Sequence, residues 1–255
     1  MRASLTDQTA RDTRAFAFVL ENNISNVSED IDTVIKVLRA SGEPAADWRS
    51  VLRNYAASGG AATVSIIGAD GILVASSAAP NSDVRLDLSD RDYFRVHQRT
   101  SEDRLYVSAP LTSRVTGKRV VQFTRPLRDR DGRFAGVIVA SLDTERFARD
   151  YAGANLDLGG DFAVLGEDGA VRLGTGALGD LAGATLSIRA VDAAKGTDFV
   201  SFAAGGGRAA GTGVIRTAKG SPLRILVAAP NVEADPKLVW WARGTTAGAL
   251  LLSLG

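Results

Sequence analysis

The feature that most constrains the fold is a hairpin pattern that occurs twice. Residues 64–77 read VSIIGADGILVASS and residues 162–175 read FAVLGEDGAVRLGT, so each apolar run enters a Gly-x-Asp-Gly turn and a second run returns. An Asp-Gly pair between two such runs is a strong signal for a two-stranded hairpin. One hairpin means little, but two in matching places, each opening a set of strands, predict duplicated units.

Further β segments follow each hairpin. After the first, a short helix and loop precede predicted strands over 105–109, 119–127 and 134–142. After the second, segments over 199–203, 208–217 and 223–229 complete a smaller sheet, and a helix over 145–152 connects the two units. The predicted fold class is therefore α+β, with two tandem antiparallel sheets.

A long amphipathic helix is predicted over residues 14–41. Its apolar residues follow a heptad seam: Leu20, Ile24, Val27, Ile31, Val34 and Leu38. Gly42 and Pro44 end it, and a second short helix is predicted over 48–57. Two interpretations stay open. The helix lies on its own domain, or it is a stalk that pairs with its copy in a homodimer.

Composition excludes several classes of function. The 30 Lys and Arg residues against 29 Asp and Glu give a net charge of +1, so no overall field attracts nucleic acid. With no cysteine and one histidine, neither a metal site nor a histidine-based catalytic arrangement is predicted. No cofactor is predicted either. Residues 174–179 spell G-x-G-x-x-G, but without a βαβ unit this run is interpreted as a turn.

The last residues are strongly apolar. Residues 238–255 read LVWWARGTTAGALLLSLG, in which only Arg243 is charged. Spanning a membrane takes about 20 apolar residues, so the segment is interpreted as the start of a truncated transmembrane helix. Trp240, Trp241 and Arg243 would lie at its interface. The alternative is an apolar terminal helix docked on the core.

Residues 89–97 carry the candidate site. The run SDRDYFRVH brings cations, a phenol, a phenyl ring and the only histidine into one short helical segment between two β blocks. A helix and loop over one face of a sheet make a concave pocket. Arginine binds a carboxylate bidentately, and aromatic rings cover an apolar body, so the pattern suits a small organic anion. The alternative is a solvated helix whose rings only fill the core.

These segments resemble a known family. SIIGADGILVASS (65–77), LSDRDYF (88–94) and the strands over 105–143 are similar to bacterial double-Cache (dCache, PDC) sensor domains, which pair two PAS-like units behind a long helix. The resemblance implies four parts: a stalk and connecting helix over 1–58, a membrane-distal ligand-binding unit over 59–150, a membrane-proximal unit over 151–236, and the transmembrane start over 237–255.

The resemblance also implies a location and a role. Such domains lie outside the cytoplasmic membrane of bacteria and are membrane-anchored in the full-length protein. They regulate histidine kinases, diguanylate cyclases, phosphodiesterases or chemoreceptors. The expected function is a periplasmic or extracellular small-molecule sensor that is not itself an enzyme. A ligand-free structural or partner-binding ectodomain and, less favoured, a secreted hydrolase are the alternatives.

The match to amino-acid-binding members of the family is partial. Those members carry Arg-x-Trp-Tyr and, after the next strand, Tyr-x-Asp. Arg91-Asp92-Tyr93-Phe94 is similar to the first element, but Leu111-Thr112-Ser113 stands in place of the second. The missing aspartate would pair with the ammonium group of a ligand. The resemblance therefore implies a carboxylate without an amine, such as a short organic acid.

The candidate ligand residues come from this helix and the following strands. Arg91 is the expected carboxylate clamp. Side-chain alternation puts Tyr106 with Ser108, and Gln122 with Thr124, although which face lines the pocket stays open. Arg125, beside Pro126, is interpreted as solvent-exposed. The predicted set is Arg91, Tyr93, Phe94, His97, Tyr106, Ser108, Gln122, Thr124, Arg114 and Lys118.

Overall fold

The chain forms two compact units, each built on one six-stranded antiparallel sheet. The computed structural model describes residues 2–41, 48–57, 62–79, 85–154, 160–190, 198–205 and 210–229. The first-sheet unit takes its described residues from 26–147 and 220–222, and the second-sheet unit from 2–25, 148–219 and 223–229. The predicted α+β class, with a long leading helix and two tandem sheets, is confirmed.

The leading helix α1 (Arg2–Ser41) begins earlier than predicted. Side-chain bonds support its polar first turns: Gln8 donates to Asp12 at 3.3 Å, and the Thr13 hydroxyl donates to the Thr9 carbonyl at 2.8 Å. Of the predicted seam, four residues are buried in the protomer itself: Leu20, Ile24, Ile31 and Leu38. The seam therefore serves the chain's own units, as the first interpretation expects.

The first sheet follows α2 (Trp48–Ala57). Its strands are β1 (Thr63–Gly68), β2 (Leu73–Ser76), β3 (Tyr106–Val107), β4 (Leu111–Thr112), β5 (Arg119–Arg128) and β6 (Phe134–Asp143), with α3 (Asp92–Gln98) between β2 and β3. The strand order is β2-β1-β6-β5-β3, and β4 also pairs with β5. Gly71 takes a φ of 81° in the predicted Asp-Gly turn, a conformation that glycine adopts without strain.

One predicted strand is shorter than expected, and a break separates it from a further strand. Of the segment predicted over 105–109 only β3 forms, and β4, which was not predicted, follows it; both pair with β5. Pro110 separates them and has no backbone N–H to give to a ladder. At the break the Ser108 hydroxyl accepts a hydrogen bond from the Gln122 backbone N–H at 3.0 Å and donates to the Ala109 carbonyl at 2.7 Å.

The second sheet follows α4 (Thr144–Ala154). Its strands are β7 (Phe162–Leu165), β8 (Val171–Gly174), β9 (Leu186–Ala190), β10 (Phe199–Ala204), β11 (Ala210–Thr217) and β12 (Arg224–Ala228), in the order β8-β7-β12-β11-β10-β9. The G-x-G-x-x-G run forms one helical turn, α5 (Gly176–Gly179), after an antiparallel hairpin. This is not the strand-to-helix opening of a dinucleotide site.

The apolar segment over 237–255 lies outside the described residues, so its prediction stays a prediction. Within the described ranges, no helix combines the length and apolar character needed to span a membrane.

Candidate functional site

The first sheet has two different faces. The face covered by α3, here called the α3 face, includes Ile67, Val137 and Val139, which pack with Tyr93 and Phe94. Strand register places Thr124 beside Val139 and opposite Tyr106, and Gln122 beside Ser141. Because alternate residues share a face, Tyr106, Ser108, Gln122 and Thr124 lie on the α3 face. Helix α3 and these four residues are therefore on the same side of the sheet, and their role as pocket residues stays a prediction.

His97 connects α3 to this sheet. Its side chain is 1% exposed, and its Nε2 lies 2.9 Å from the Thr124 hydroxyl oxygen. Its ring meets the Tyr106 ring edge to face, with 6.3 Å between centroids. Burial lowers the pKa of His97 to about 4, so the imidazole is neutral near pH 7. Its Nδ1 is buried and has no hydrogen-bond partner in the described part of the chain.

The two aromatic residues of α3 differ in their polarity. Phe94 packs edge to face on Phe134, with ring centroids 5.5 Å apart, as a core residue does. Tyr93 is buried beside it, and burial raises the pKa of its phenol to about 12. The phenol is therefore uncharged and keeps its proton for donation.

Arg91 immediately precedes α3. Its Nη2 donates to the Thr112 carbonyl of β4 at 3.3 Å. Its Nε is buried, and none of the described residues accepts a hydrogen bond from it. The guanidinium thus keeps an unused, buried donor at the start of the helix that covers this sheet.

The other two predicted cations have partners within the protein. Arg114 binds Asp90 through both carboxylate oxygens, at 2.6 and 2.8 Å, and donates to the Asp87 carbonyl at 3.0 Å. The bond from Arg114 holds the pKa of Asp90 below its usual value. Lys118 is exposed and pairs with Asp143 at 3.0 Å. The Arg114 contacts join the loop before α3 to the turn before β5, and the Lys118 pair joins that turn to the end of β6. The predicted ligand contacts of both cations stay predictions.

Sequence reasoning missed three buried serines on the α3 face: Ser65, Ser76 and Ser141. The Ser141 hydroxyl of β6 donates to the Gln122 side-chain oxygen at 2.6 Å, which leaves the Gln122 amide group with its N–H donors. The Ser65 and Ser76 hydroxyls are 2.9 Å apart on the first hairpin. The sequence signal that could have identified them is a serine within an otherwise apolar strand. We call Ser65, Ser108, Gln122, Thr124 and Ser141 the polar row.

The opposite face of the sheet carries an ion-pair network. Arg125 binds Asp32 of α1 through Nε and through Nη2, the latter at 3.0 Å, and donates to the Asp103 carbonyl at 3.0 Å. Asp103 also accepts from Arg39 of α1 at 2.8 Å. The Arg125 side chain is only 12% exposed, so its interpretation as a solvent-exposed residue was wrong. The sequence could not show that its partner lies on α1.

Several solved structures share this fold, and three of them are sensor or ligand-binding domains of receptors. The extracellular domain of the histidine kinase candidate rpHK1S-Z16 is 22% identical with a TM-score of 0.63, over 89% of this chain and 96% of that one. The Pseudomonas fluorescens chemoreceptor CtaA, in complex with L-leucine, is 15% identical with a TM-score of 0.66, over 93% and 99%. The Pseudomonas aeruginosa chemoreceptor PctC, in complex with GABA, is 17% identical with a TM-score of 0.56, over 84% and 96%.

Sequence comparison identifies the family. Curated protein sequences give no significant match, whereas the profile of the Cache domain matches residues 1–235. Cache domains are extracytoplasmic ligand-binding modules of membrane receptors rather than catalytic domains. The chain belongs to the Cache domain family and is a sensor domain.

Proposed function

We propose that the first-sheet unit binds a small organic anion with a carboxylate group between α3 and the polar row. The observation that carries this proposal is the buried Nε of Arg91, which has no acceptor among the described residues. An unmet buried donor costs free energy that a ligand oxygen would restore. Neutral Tyr93 and the amide group of Gln122 supply further donors for the same anion.

The absence of an acidic partner favours a ligand without an amine. CtaA and PctC were solved with amino-acid ligands, and an ammonium group bound away from water needs a negative partner. The buried polar residues identified above on the α3 face, which are the polar row, Ser76, Tyr93 and His97, include no acid. Asp87 and Asp90 are exposed on the loop, and Asp90 is already paired with Arg114.

The ion-pair network gives the site a route to α1. Asp103 follows α3 in the chain and bonds both Arg125 and Arg39, while Thr124, next to Arg125, contacts His97. A ligand that shifts α3 would change these contacts and favour one arrangement of α1 over another. The receptor would pass this change across the membrane to a cytoplasmic output of the kinase, cyclase or phosphodiesterase type.

A homodimer through α1 remains part of the proposal, with a changed surface. Most of the predicted seam is buried inside the protomer, whereas Phe18, Val19 and Val37 are exposed on the same helix. A second copy of α1 would therefore contact these residues rather than the seam.

A thermal-shift screen against short organic acids tests the ligand proposal. At 100 times its Kd, a ligand stabilises the folded state by about 2.7 kcal/mol, which raises Tm by roughly 5–10 °C in a chain of this size. Arg91→Ala should abolish the shift. Arg95→Ala is the matched control, because Arg95 lies on the same helix but is exposed and bonds the Ser89 carbonyl.

Two results would contradict the proposal. A shift that survives Arg91→Ala would move the site elsewhere. No shift with any acid of the panel would favour the ligand-free ectodomain.

A further inference from the structure

The second-sheet unit contains a buried arginine whose hydrogen-bonding capacity is largely unused. Arg172 is 5% exposed and belongs to β8, the strand at one edge of the second sheet. Its Nη2 donates to the Asp168 carboxylate at 3.0 Å. Its Nε and Nη1 are buried, and no residue in the described ranges accepts a hydrogen bond from either. Because arginine keeps its charge inside proteins, it cannot remove this deficit by losing a proton.

The shape of the guanidinium shows what these two nitrogens need. The group has two edges, one formed by Nε and Nη2 and the other by Nη1 and Nη2, and each edge directs two N–H groups in parallel. Asp168 bonds Nη2 through Oδ2 alone, because its Oδ1 accepts from the Ala170 backbone N–H at 3.0 Å. Whichever edge this single bond occupies, the other edge is open and contains one of the unmet nitrogens.

The hairpin itself does not require an arginine at this position. Aligning the two Gly-x-Asp-Gly hairpins equates Arg172 with Val74, which is 42% exposed in the first sheet. The second hairpin also leaves space for the guanidinium, since a Cβ on Gly166 would lie 2.8 Å from the Arg172 Nε, closer than real Cβ atoms approach. A buried cation with unmet donors destabilises a fold unless an acceptor pairs with it. Arg172 is therefore better explained by an acceptor that binds there.

We propose that the open edge of Arg172 binds a small planar oxyanion with one negative charge, of the size of nitrate or bicarbonate. Two oxygens of such an ion match two parallel N–H groups as a carboxylate does. A single charge is favoured, because Asp168 already offsets part of the arginine charge and a dianion would bury excess negative charge. The unmet nitrogens are covered by protein atoms, which disfavours an ion that carries a carbon skeleton.

The ion reaches this edge past Asp168. The Asp168 side chain is 57% exposed and lies in the turn between β7 and β8, so it can move into water without opening the apolar core. This inference goes beyond the proposed function and does not depend on it, because Arg172 and Arg91 belong to different units.

Hydrogen exchange in nitrate, compared with chloride at the same ionic strength, tests the inference. An ion that binds only the closed hairpin slows the exchange of its amides by a factor of 1 + [ion]/Kd. Nitrate at about ten times its Kd should therefore slow exchange over residues 162–175 about tenfold, while exchange in α3 stays unchanged.

Two variants of Arg172 separate the charge from the planar fork. Arg172→Met removes every donor and keeps a long side chain, and Asp168 stays in contact with water because it is more than half exposed. This variant should lose the nitrate effect. Arg172→Lys keeps the cation but not the two parallel donors, so the slowing should fall to about twofold or less. Circular dichroism in the chloride buffer checks folding, and Arg172→Lys decides the question if Arg172→Met does not fold.

Three results would overturn the inference. Unchanged exchange over residues 162–175 in the wild type would show that water alone meets the unmet nitrogens. Equal slowing in nitrate and chloride would exclude recognition of a planar ion. Slowing that persists in both variants would place the ion elsewhere. Each of these results leaves the organic-acid site untouched, since that site is tested separately by Arg91→Ala.

Discussion

The two sheets place different chemistry at matching positions. Aligning the two hairpins equates Ser65 with Ala163, and the strand registers extend this match across each sheet. Every member of the polar row then has an apolar counterpart in the second sheet: Ser65 and Ala163, Ser108 and Val200, Gln122 and Gly213, Thr124 and Ile215, Ser141 and Ala228. In the second unit these counterparts belong to or contact an apolar cluster beneath α5.

Gly213 shows how close that packing is. A Cβ at this position would lie 2.2 Å from the Val227 carbonyl oxygen, so no side chain as large as that of Gln122 fits there. The second sheet has a packed hydrocarbon core where the first has polar groups. Buried polar groups stabilise a fold less than apolar packing does. Stability therefore does not explain the polar row, whereas recognition of a ligand would.

The opposite faces of the two sheets are alike. The same registers equate Arg125 with Arg216, and each pairs with an acid of α1, Asp32 and Glu21 respectively. The two units therefore share their attachment to the leading helix and differ on the face that α3 or α5 covers. Both sheets pair an arginine with an acid of α1. In our proposed function, only the first sheet also recognises an organic ligand.

The largest expected effect tests the shared helix contact. Arg125→Met removes the bidentate partner of Asp32, which is only 12% exposed and keeps Lys36 at 2.7 Å, and it breaks two bonds to Asp103. Breaking a buried pair by removing one partner costs about 3–5 kcal/mol when the remaining charge has no other partner, so we expect a loss near the lower end of this range. Urea unfolding measures the cost.

Arg216→Met is the position-matched comparison. It removes the arginine partner of Glu21, which is 7% exposed, and the cation–π contact of Arg216 with the Phe18 ring, but it breaks no contact equivalent to the two bonds of Asp103. We expect a smaller loss for this variant than for Arg125→Met. An equal or larger loss would show that the Asp103 contacts add nothing to the first attachment.

The second prediction is a loss of stability at acidic pH that is confined to the first sheet. Unfolded His97 takes up a proton near its usual pKa of 6.5, whereas the buried ring resists protonation until pH about 4. Between these values the unfolded chain binds one more proton, so stability is complete above pH 6.5 and falls on acidification. The loss reaches about 3 kcal/mol by pH 4.

The single histidine makes this window specific. Asp32 and Asp103 have pKa values below their usual 3.8, so their contributions are lost at lower pH. His97→Leu should flatten the stability profile between pH 4 and 6.5, and hydrogen exchange should place the wild-type loss in the first sheet. An unchanged slope in His97→Leu would exclude His97 as its source.

How much the sequence predicted depends on the range of the interactions. The Asp-Gly turns, the duplicated sheets and the shared face of Gln122 and Thr124 follow from local chemistry and alternation, and all are present. Arg125 was misread because its partner Asp32 lies 93 residues away, and no local pattern links them. Ser65 and Ser141 were missed because a small residue in an apolar strand looks like core until the register of neighbouring strands is known.

The smallest effect comes from exchanging the residue types at one matched position. Ala163→Ser places a hydroxyl in the apolar cluster, opposite Gly174, which offers no side-chain partner. An unsatisfied buried hydroxyl costs about 1–3 kcal/mol. Ser65→Ala removes only the bond to Ser76, a net loss of about 1 kcal/mol or less.

Urea midpoints of both variants test the order of these two losses. Ala163→Ser should leave organic-acid binding unchanged, because Ala163 lies in the other unit. If the two changes cost the same, the second sheet tolerates polar groups as well as the first, and the contrast between the two cores no longer explains why one of them would bind a ligand.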